Sequence, residues 1–293
     1  MDDADVPAVW QQLGLPGLVD AHVHFMPRNV MDKVWAYFDA AGPLTGVPWP
    51  IAYRTEEEDR LARLRAMGVR AFPSLVYAHK PGMSAWLNAW AADFATRHSE
   101  TGDVLHTFTF FPEAGARADV EEQLTAGARI GKAHVQVGGY DPRDPLLDDV
   151  WGLLAEAGTP VVVHCGSGPA PGAFTGPGPF GEVLRRHPRL AAVIAHLGMP
   201  EYEAFLSFAE TYDNVHLDTT MAFTDFAERA APFPPELRAR LVGLERKVLL
   251  GSDFPNTPYP YAHQVEALLR LGFGDSWLRS VLHDNGARVL LRE

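Results

Sequence analysis

Eight short β-rich runs punctuate this chain, with helical patterns between most of them, and that alternation constrains the fold more than any other feature. The runs are Leu18–Phe25, Ala71–Tyr77, Leu105–Phe111, Ala133–Gly139, Pro160–Gly166, Ala191–Gly198, Asn214–Met221 and Lys247–Phe254. Strands that alternate with helices pair in parallel through crossover connections. Eight of them close naturally into a (β/α)8 barrel, and 293 residues suit such a barrel as one domain over residues 1–293. Between the runs, Leu146 to Gly158 carries apolar residues at Leu147, Val150, Leu154 and Ala157 before a glycine stop. Val120 to Gly131 repeats the pattern with Val120, Leu124, Ala128 and Ile130. Thr55-Glu56-Glu57-Glu58 reads as a capping box for a helix that reaches Met67 and ends at Gly68.

Several of these runs end in a metal-ligating side chain. Leu18-Val19 leads into Asp20-Ala21-His22-Val23-His24, Val161-Val162-Val163 into His164, Ala191 to Ala195 into His196, and Val248 to Ser252 into Asp253. His22 and His24, two apart on a strand, point to one face. In a barrel the carboxyl ends of the strands converge on one mouth, where the chemistry of such folds is done. Four of these five residues can supply zinc with three imidazoles and a carboxylate, leaving a position for water. A metal so held lowers the pKa of its water toward ~7, and Asp253 is placed to accept the proton. Packing alone gives no reason for the pattern to repeat.

Two long segments leave the same face. Residues 26–53 hold Trp35, Trp49 and four prolines and are expected to form a packed lid; Gly166–Gly181 is rich in glycine and proline. Arg28 and Asn256 are candidate substrate contacts, the first as a carboxylate clamp, with Tyr259 beside them. His134, inside the fourth run, is expected to pack, with substrate contact as the lesser alternative; His216 with Asp218, on one face of the seventh, are expected to pack and to make layer hydrogen bonds. The formal net charge of −12 argues against nucleic acid as a partner. The expected partner is a small-molecule substrate, with no membrane involved; homo-oligomerisation is left open. One cysteine, Cys165, rules out an intrachain disulfide, and no run is long enough to span a bilayer. With no signal-peptide pattern at the amino terminus, the expected location is the cytoplasm.

The order Val19-Asp20-Ala21-His22-Val23-His24, Pro160 to His164, Ala195-His196-Leu197-Gly198, Gly251-Ser252-Asp253-Phe254-Pro255 and Asn285-Gly286-Ala287-Arg288-Val289-Leu290 resembles the amidohydrolase superfamily. The local wording is similar to its amidohydrolase-2 branch, which includes α-amino-β-carboxymuconate-semialdehyde decarboxylase and related hydrolases. The resemblance implies that His22, His24, His164 and Asp253 bind one divalent ion, zinc being the expected metal, and that His196 is the catalytic histidine. Binuclear relatives carry a carboxylated lysine late in strand four. Lys132 precedes Gln136 by four residues, which sets it toward the wrong end of that run and favours a mononuclear centre. The expected activity is metal-dependent hydrolysis of an amide, ester or lactone. The alternative is non-oxidative decarboxylation of an unsaturated or aromatic acid, which needs a carboxylate clamp that no arginine pair near a strand end supplies.

Overall fold

The computed structural model describes residues 1–46 and 48–293, and it is an α/β barrel of parallel strands. The strands are β1 (Leu18–Val19), β2 (Val69–Pro73), β3 (Val104–Leu105), β4 (Thr107–Thr109), β5 (Ile130–His134), β6 (Val161–His164), β7 (Ala192–Ile194), β8 (Val215–Asp218) and β9 (Val248–Leu249). They pair in chain order, as β1-β2-β3 and as β4 through β9. β3 and β4 are two parts of one barrel strand, interrupted at His106. Where the ladder between the second and third strands gives out, threonine hydroxyls replace it. The amide of Ser74 donates to Thr107 Oγ1 and that of Ala78 to Thr109 Oγ1.

Closure is made by the chain just past β1 and β9. The Ala21 amide donates to the Leu250 carbonyl at 2.8 Å, Asp253 to His22 at 2.9 Å and His24 to Phe254 at 2.7 Å. Two apolar layers follow from the alternation of side chains along the strands. Leu18, Phe72, Phe108, Val161, Val163, Ile194, Leu217 and Val248 face the surrounding helices. Val19, Ala71, Leu105, Ile130, Val162, Val193 and Leu249 meet one another. Only a barrel interior brings residues from seven strands into one cluster. Ala287 and Leu290, from the helical segment Ala287–Leu291, cover that cluster at the amino-terminal end. Gly286 makes the approach possible, because a Cβ there would stand 2.6 Å from Val19 Cγ1.

Three local expectations are corrected. The fourth strand runs Ile130–His134, starting three and ending five residues before the run Ala133–Gly139, because Val135–Gly138 coils into a helical turn capped by His134. The preceding helix is Ala116–Thr125, so Ala128 and Ile130 belong to the turn and to β5. The helix Glu57–Ala66 forms without the capping box: Thr55 Oγ1 is buried with no partner, and its N-cap residue makes no side-chain cap bond. The helix Pro145–Ala157 with Gly158 in the left-handed region matches its pattern.

Among the described residues no helix is long and apolar enough to cross a membrane. Residues 26–53, of which Val47 lies outside the described residues, contribute the helix Arg28–Asp39. Trp49 packs with Met221, Ala227 and Tyr259, on loops that follow β8 and β9. Trp35 lies under the guanidinium of Arg60, 5.3 Å from its ring centroid.

Candidate metal centre

His22, His24 and Asp253 converge at the carboxyl end of the barrel. One ligand atom from each lies within 4.8 Å of the others, and all three side chains are buried. The pairing of the segment after β1 with the segment after β9 brings them together. Asp253 holds its place with a left-handed backbone, φ 64°, and His196 does the same at φ 56°. Such conformations are disfavoured for residues with a Cβ and persist where the surroundings dictate them. Gly251 lets the strand pass close by, since a Cβ there would lie 2.2 Å from Thr220 Oγ1.

The tautomers of both imidazoles are set by what lies behind them. His22 Nδ1 is 2.9 Å from Asp218 Oδ2, and His24 Nδ1 is 2.7 Å from the Leu75 carbonyl oxygen. Those oxygens only accept, so each Nδ1 carries a proton, and in the neutral ring it is Nε2 that offers its lone pair to the site. His24 Nε2 then faces Asp253 Oδ1 at 3.0 Å, with His22 Nε2 3.7 Å from the same oxygen. Acceptors that close need a proton or a cation to hold them. Two imidazoles, each anchored through its far nitrogen, beside one carboxylate form a donor set that fits a divalent cation.

Asp218 organises this set. Besides His22 it accepts the amides of His196 (2.9 Å) and Thr220 (3.1 Å) at Oδ1. Burial opposes its charge, but His22 and these bonds hold it well below the ordinary carboxylate range. Asp253 behaves alike: burial opposes its charge, and the contact with His24 together with the charges of His22 and His196 overrides it. Asp20 accepts the His22 amide and the Tyr261 hydroxyl, yet burial pushes it up to about 7. Burial lowers His22 and His196 to about 4 and holds His164 well below the ordinary imidazole range.

His164 sits at the end of β6 with its ring 4.6 Å from that of His196, which in turn is 5.2 Å from that of His22. The structure does not bring His164 into the convergent set: its Nε2 contacts the Gly168 carbonyl at 3.0 Å. His196 makes no side-chain hydrogen bond among the described residues, and its ring nitrogens are not sealed from solvent. Arg28 lies outside the cluster, held on the surface by Asp32 at 2.9 Å and Glu56 at 2.8 Å. Asn256 serves the segment above instead of an open pocket: its Oδ1 accepts from Trp35 Nε1 at 3.2 Å and its carbonyl from Trp49 Nε1 at 2.8 Å.

Lys132 does reach the cluster, which corrects its expected position. With β5 ending at His134, Lys132 lies two residues from the carboxyl end and on the interior face. Its long chain lifts Nζ to 3.2 Å from His22 Nε2, and burial lowers it to about 8. Tyr77 also escaped the sequence: it follows β2 in irregular chain and sets its ring 5.8 Å from His24 and 4.8 Å from His134. No periodicity signals a loop side chain of this kind.

Solved structures of similar fold are numerous. An uncharacterised TIM-barrel protein from Bordetella bronchiseptica matches with a TM-score of 0.71 at 19% identity, covering 94% of this chain and 99% of its own. A 5-carboxyvanillate decarboxylase from Novosphingobium aromaticivorans, complexed with manganese, matches with a TM-score of 0.62 at 13% identity, covering 94% and 96%. A probable 2-pyrone-4,6-dicarboxylic acid hydrolase from Acinetobacter baumannii, with citric acid bound, matches with a TM-score of 0.59 at 12% identity, covering 94% and 99%. Comparison with curated proteins gives no match. The family model for amidohydrolases matches residues 19–292, nearly the whole chain, and the protein therefore belongs to the amidohydrolase family.

Proposed function

We propose that this protein is a metal-dependent hydrolase acting on an amide, ester or lactone carbonyl. The observation that carries the reading is the convergence of His22, His24 and Asp253 with both Nε2 lone pairs aimed inward. His22, His24 and Asp253 would hold one divalent ion, zinc in our reading, with His164 as the fourth ligand through Nδ1, the nitrogen left bare when its Nε2–H donates to the Gly168 carbonyl. Bound there, the ion supplies a Lewis acid for the carbonyl oxygen and acidifies a water. Asp253, at the edge of the cluster, takes the proton from the attacking water. His196, open to the mouth and beside both His22 and His164, steadies the developing oxyanion or returns the proton to the leaving group. Asp218 fixes both partners at once, through His22 Nδ1 and the His196 amide. Residues 26–53 act as the lid in this reading, supported by the bonds of Trp35 and Trp49 to Asn256.

The choice of hydrolysis rests on charge. Arg28 is neutralised by Asp32 and Glu56, and Arg54 by Asp39, all away from the cluster. No arginine clamp for a carboxylate is thereby supplied. One observation favours decarboxylation as the second reading: the Lys132 ammonium beside His22 offers a carboxylate a positive partner. The test is a panel of esters, lactones, amides and unsaturated acids with metal-loaded protein, read by hydrolysis and by CO2 release. Hydrolysis that falls ~100-fold or more in His196→Ala at unchanged metal content supports the proposal. CO2 release from an acid, lost in the same variant, with no hydrolysis, moves the assignment to decarboxylase.

A further inference from the structure

His134 carries an arrangement that packing does not require. It ends β5 directly opposite His164 in the ladder, so both side chains stand on the interior face at the mouth. Its ring is held on two sides, stacked on His164 at 4.2 Å with 22° between the planes and 4.8 Å from the ring of Tyr77. The amide of Val137 donates to His134 Nδ1 at 3.3 Å, which caps the turn Val135–Gly138. A backbone N–H can only donate. Nδ1 is therefore the bare nitrogen, and in the neutral ring the proton resides on Nε2. Nε2 has no partner among the described residues and is not sealed from solvent. The result is an N–H donor with a fixed tautomer and a clamped ring plane, aimed into the mouth beside the metal ligands.

We infer that His134 is a substrate-binding residue whose Nε2–H donates to an oxygen of the substrate other than the one that seeks the metal. The inference rests on the reading of the mouth as a site for acyl compounds. It selects substrates that carry a second, uncharged oxygen acceptor near the reacting carbonyl, such as a lactone ring oxygen or a vicinal hydroxyl. A neutral donor suits an uncharged oxygen, whereas a carboxylate is better met by a charged fork.

Two substitutions separate this role from capping. In His134→Asn the side-chain oxygen falls near the place of Nδ1 and still accepts from Val137, but the donor at the Nε2 position is lost. In His134→Gln the terminal amide reaches the Nε2 position and still donates, while the cap is lost. Affinity for 2-oxazolidinone, whose carbonyl oxygen and ring oxygen are both uncharged and do not chelate one ion together, is measured by calorimetry on metal-loaded protein, with melting temperature and metal content in parallel. His134→Asn is expected to bind about tenfold more weakly with its melting temperature kept. His134→Gln is expected to bind like the parent even if it melts lower. The reverse pattern, equal affinities in all three proteins, or no binding by metal-loaded parent protein would overturn the inference. If the binding split appears while the parent hydrolyses no ester, lactone or amide, the hydrolase reading falls and the role of His134 stands.

Discussion

The amide of Asp253 donates to the carbonyl of His22 at 2.9 Å, so one backbone hydrogen bond joins two of the residues that converge on the candidate metal centre. The bond is also part of the seam that closes the barrel. The same contact therefore serves both the candidate centre and the closure of the barrel.

Asp218 is expected to set metal affinity without touching the ion. Asp218→Asn keeps the size but weakens the grip on His22 Nδ1 and on its tautomer. A 10- to 100-fold weaker affinity is expected, measured by competition with a chromogenic chelator. An unchanged affinity would remove its orienting role.

The bond from Trp35 to Asn256 should hold residues 28–39 against the barrel. Asn256→Ala leaves the buried indole N–H unpaired, a loss of about 1–3 kcal/mol in denaturant unfolding. Faster amide exchange confined to 28–39 and the neighbouring loop is the local sign; uniform exchange across the chain would contradict it.

His216 should make the protein acid-sensitive. Its ring lies on the interior face two residues below Asp218, with Nδ1 buried and unpartnered, and burial lowers it to about 3. An unfolded chain takes this proton near 6.5, whereas the folded one resists until about 3. The contribution to stability is thus whole above pH 6.5 and is lost as the pH falls toward 3. Between pH 6 and 4, His216→Asn should show an unfolding free energy that declines less steeply, by up to about 1.4 kcal/mol per pH unit. Parallel curves for the two proteins would show that the proton is taken elsewhere.

Gly286→Ala should destabilise the fold by about 1–3 kcal/mol through overpacking, since the added carbon meets Val19 Cγ1 at 2.6 Å. Thermal unfolding measures it. The folded fraction should bind a divalent ion as the parent protein does, because the contact lies toward the opposite end of the barrel from the candidate centre.

The barrel and most of the centre were legible because they depend on short-range rules. His22-x-His24 has the two-residue period of a strand, and strand ends in this architecture share one mouth. Lys132 and His134 were obscured by one boundary. Val135-Gln136-Val137 is β-rich in composition, but the Val137 amide finds His134 Nδ1 and the chain coils. That shifts the strand's end and changes which residues reach the mouth. Thr55 failed as a cap for a tertiary reason: its hydroxyl is turned into the protein, while its carbonyl accepts from Arg60. Arg28 is equally a matter of partners, because Asp32 and Glu56 compete for it at close range.

The apolar floor formed by Val19, Ile130, Val162, Val193 and Leu249 with Ala287 and Leu290 seals the barrel axis at its amino-terminal end. A molecule that meets His22 therefore comes from the carboxyl-terminal side, where Tyr77 and the segment bonded to Asn256 stand. In the hydrolase reading, arrival and departure would share that side, and each product would have to clear before the next substrate binds.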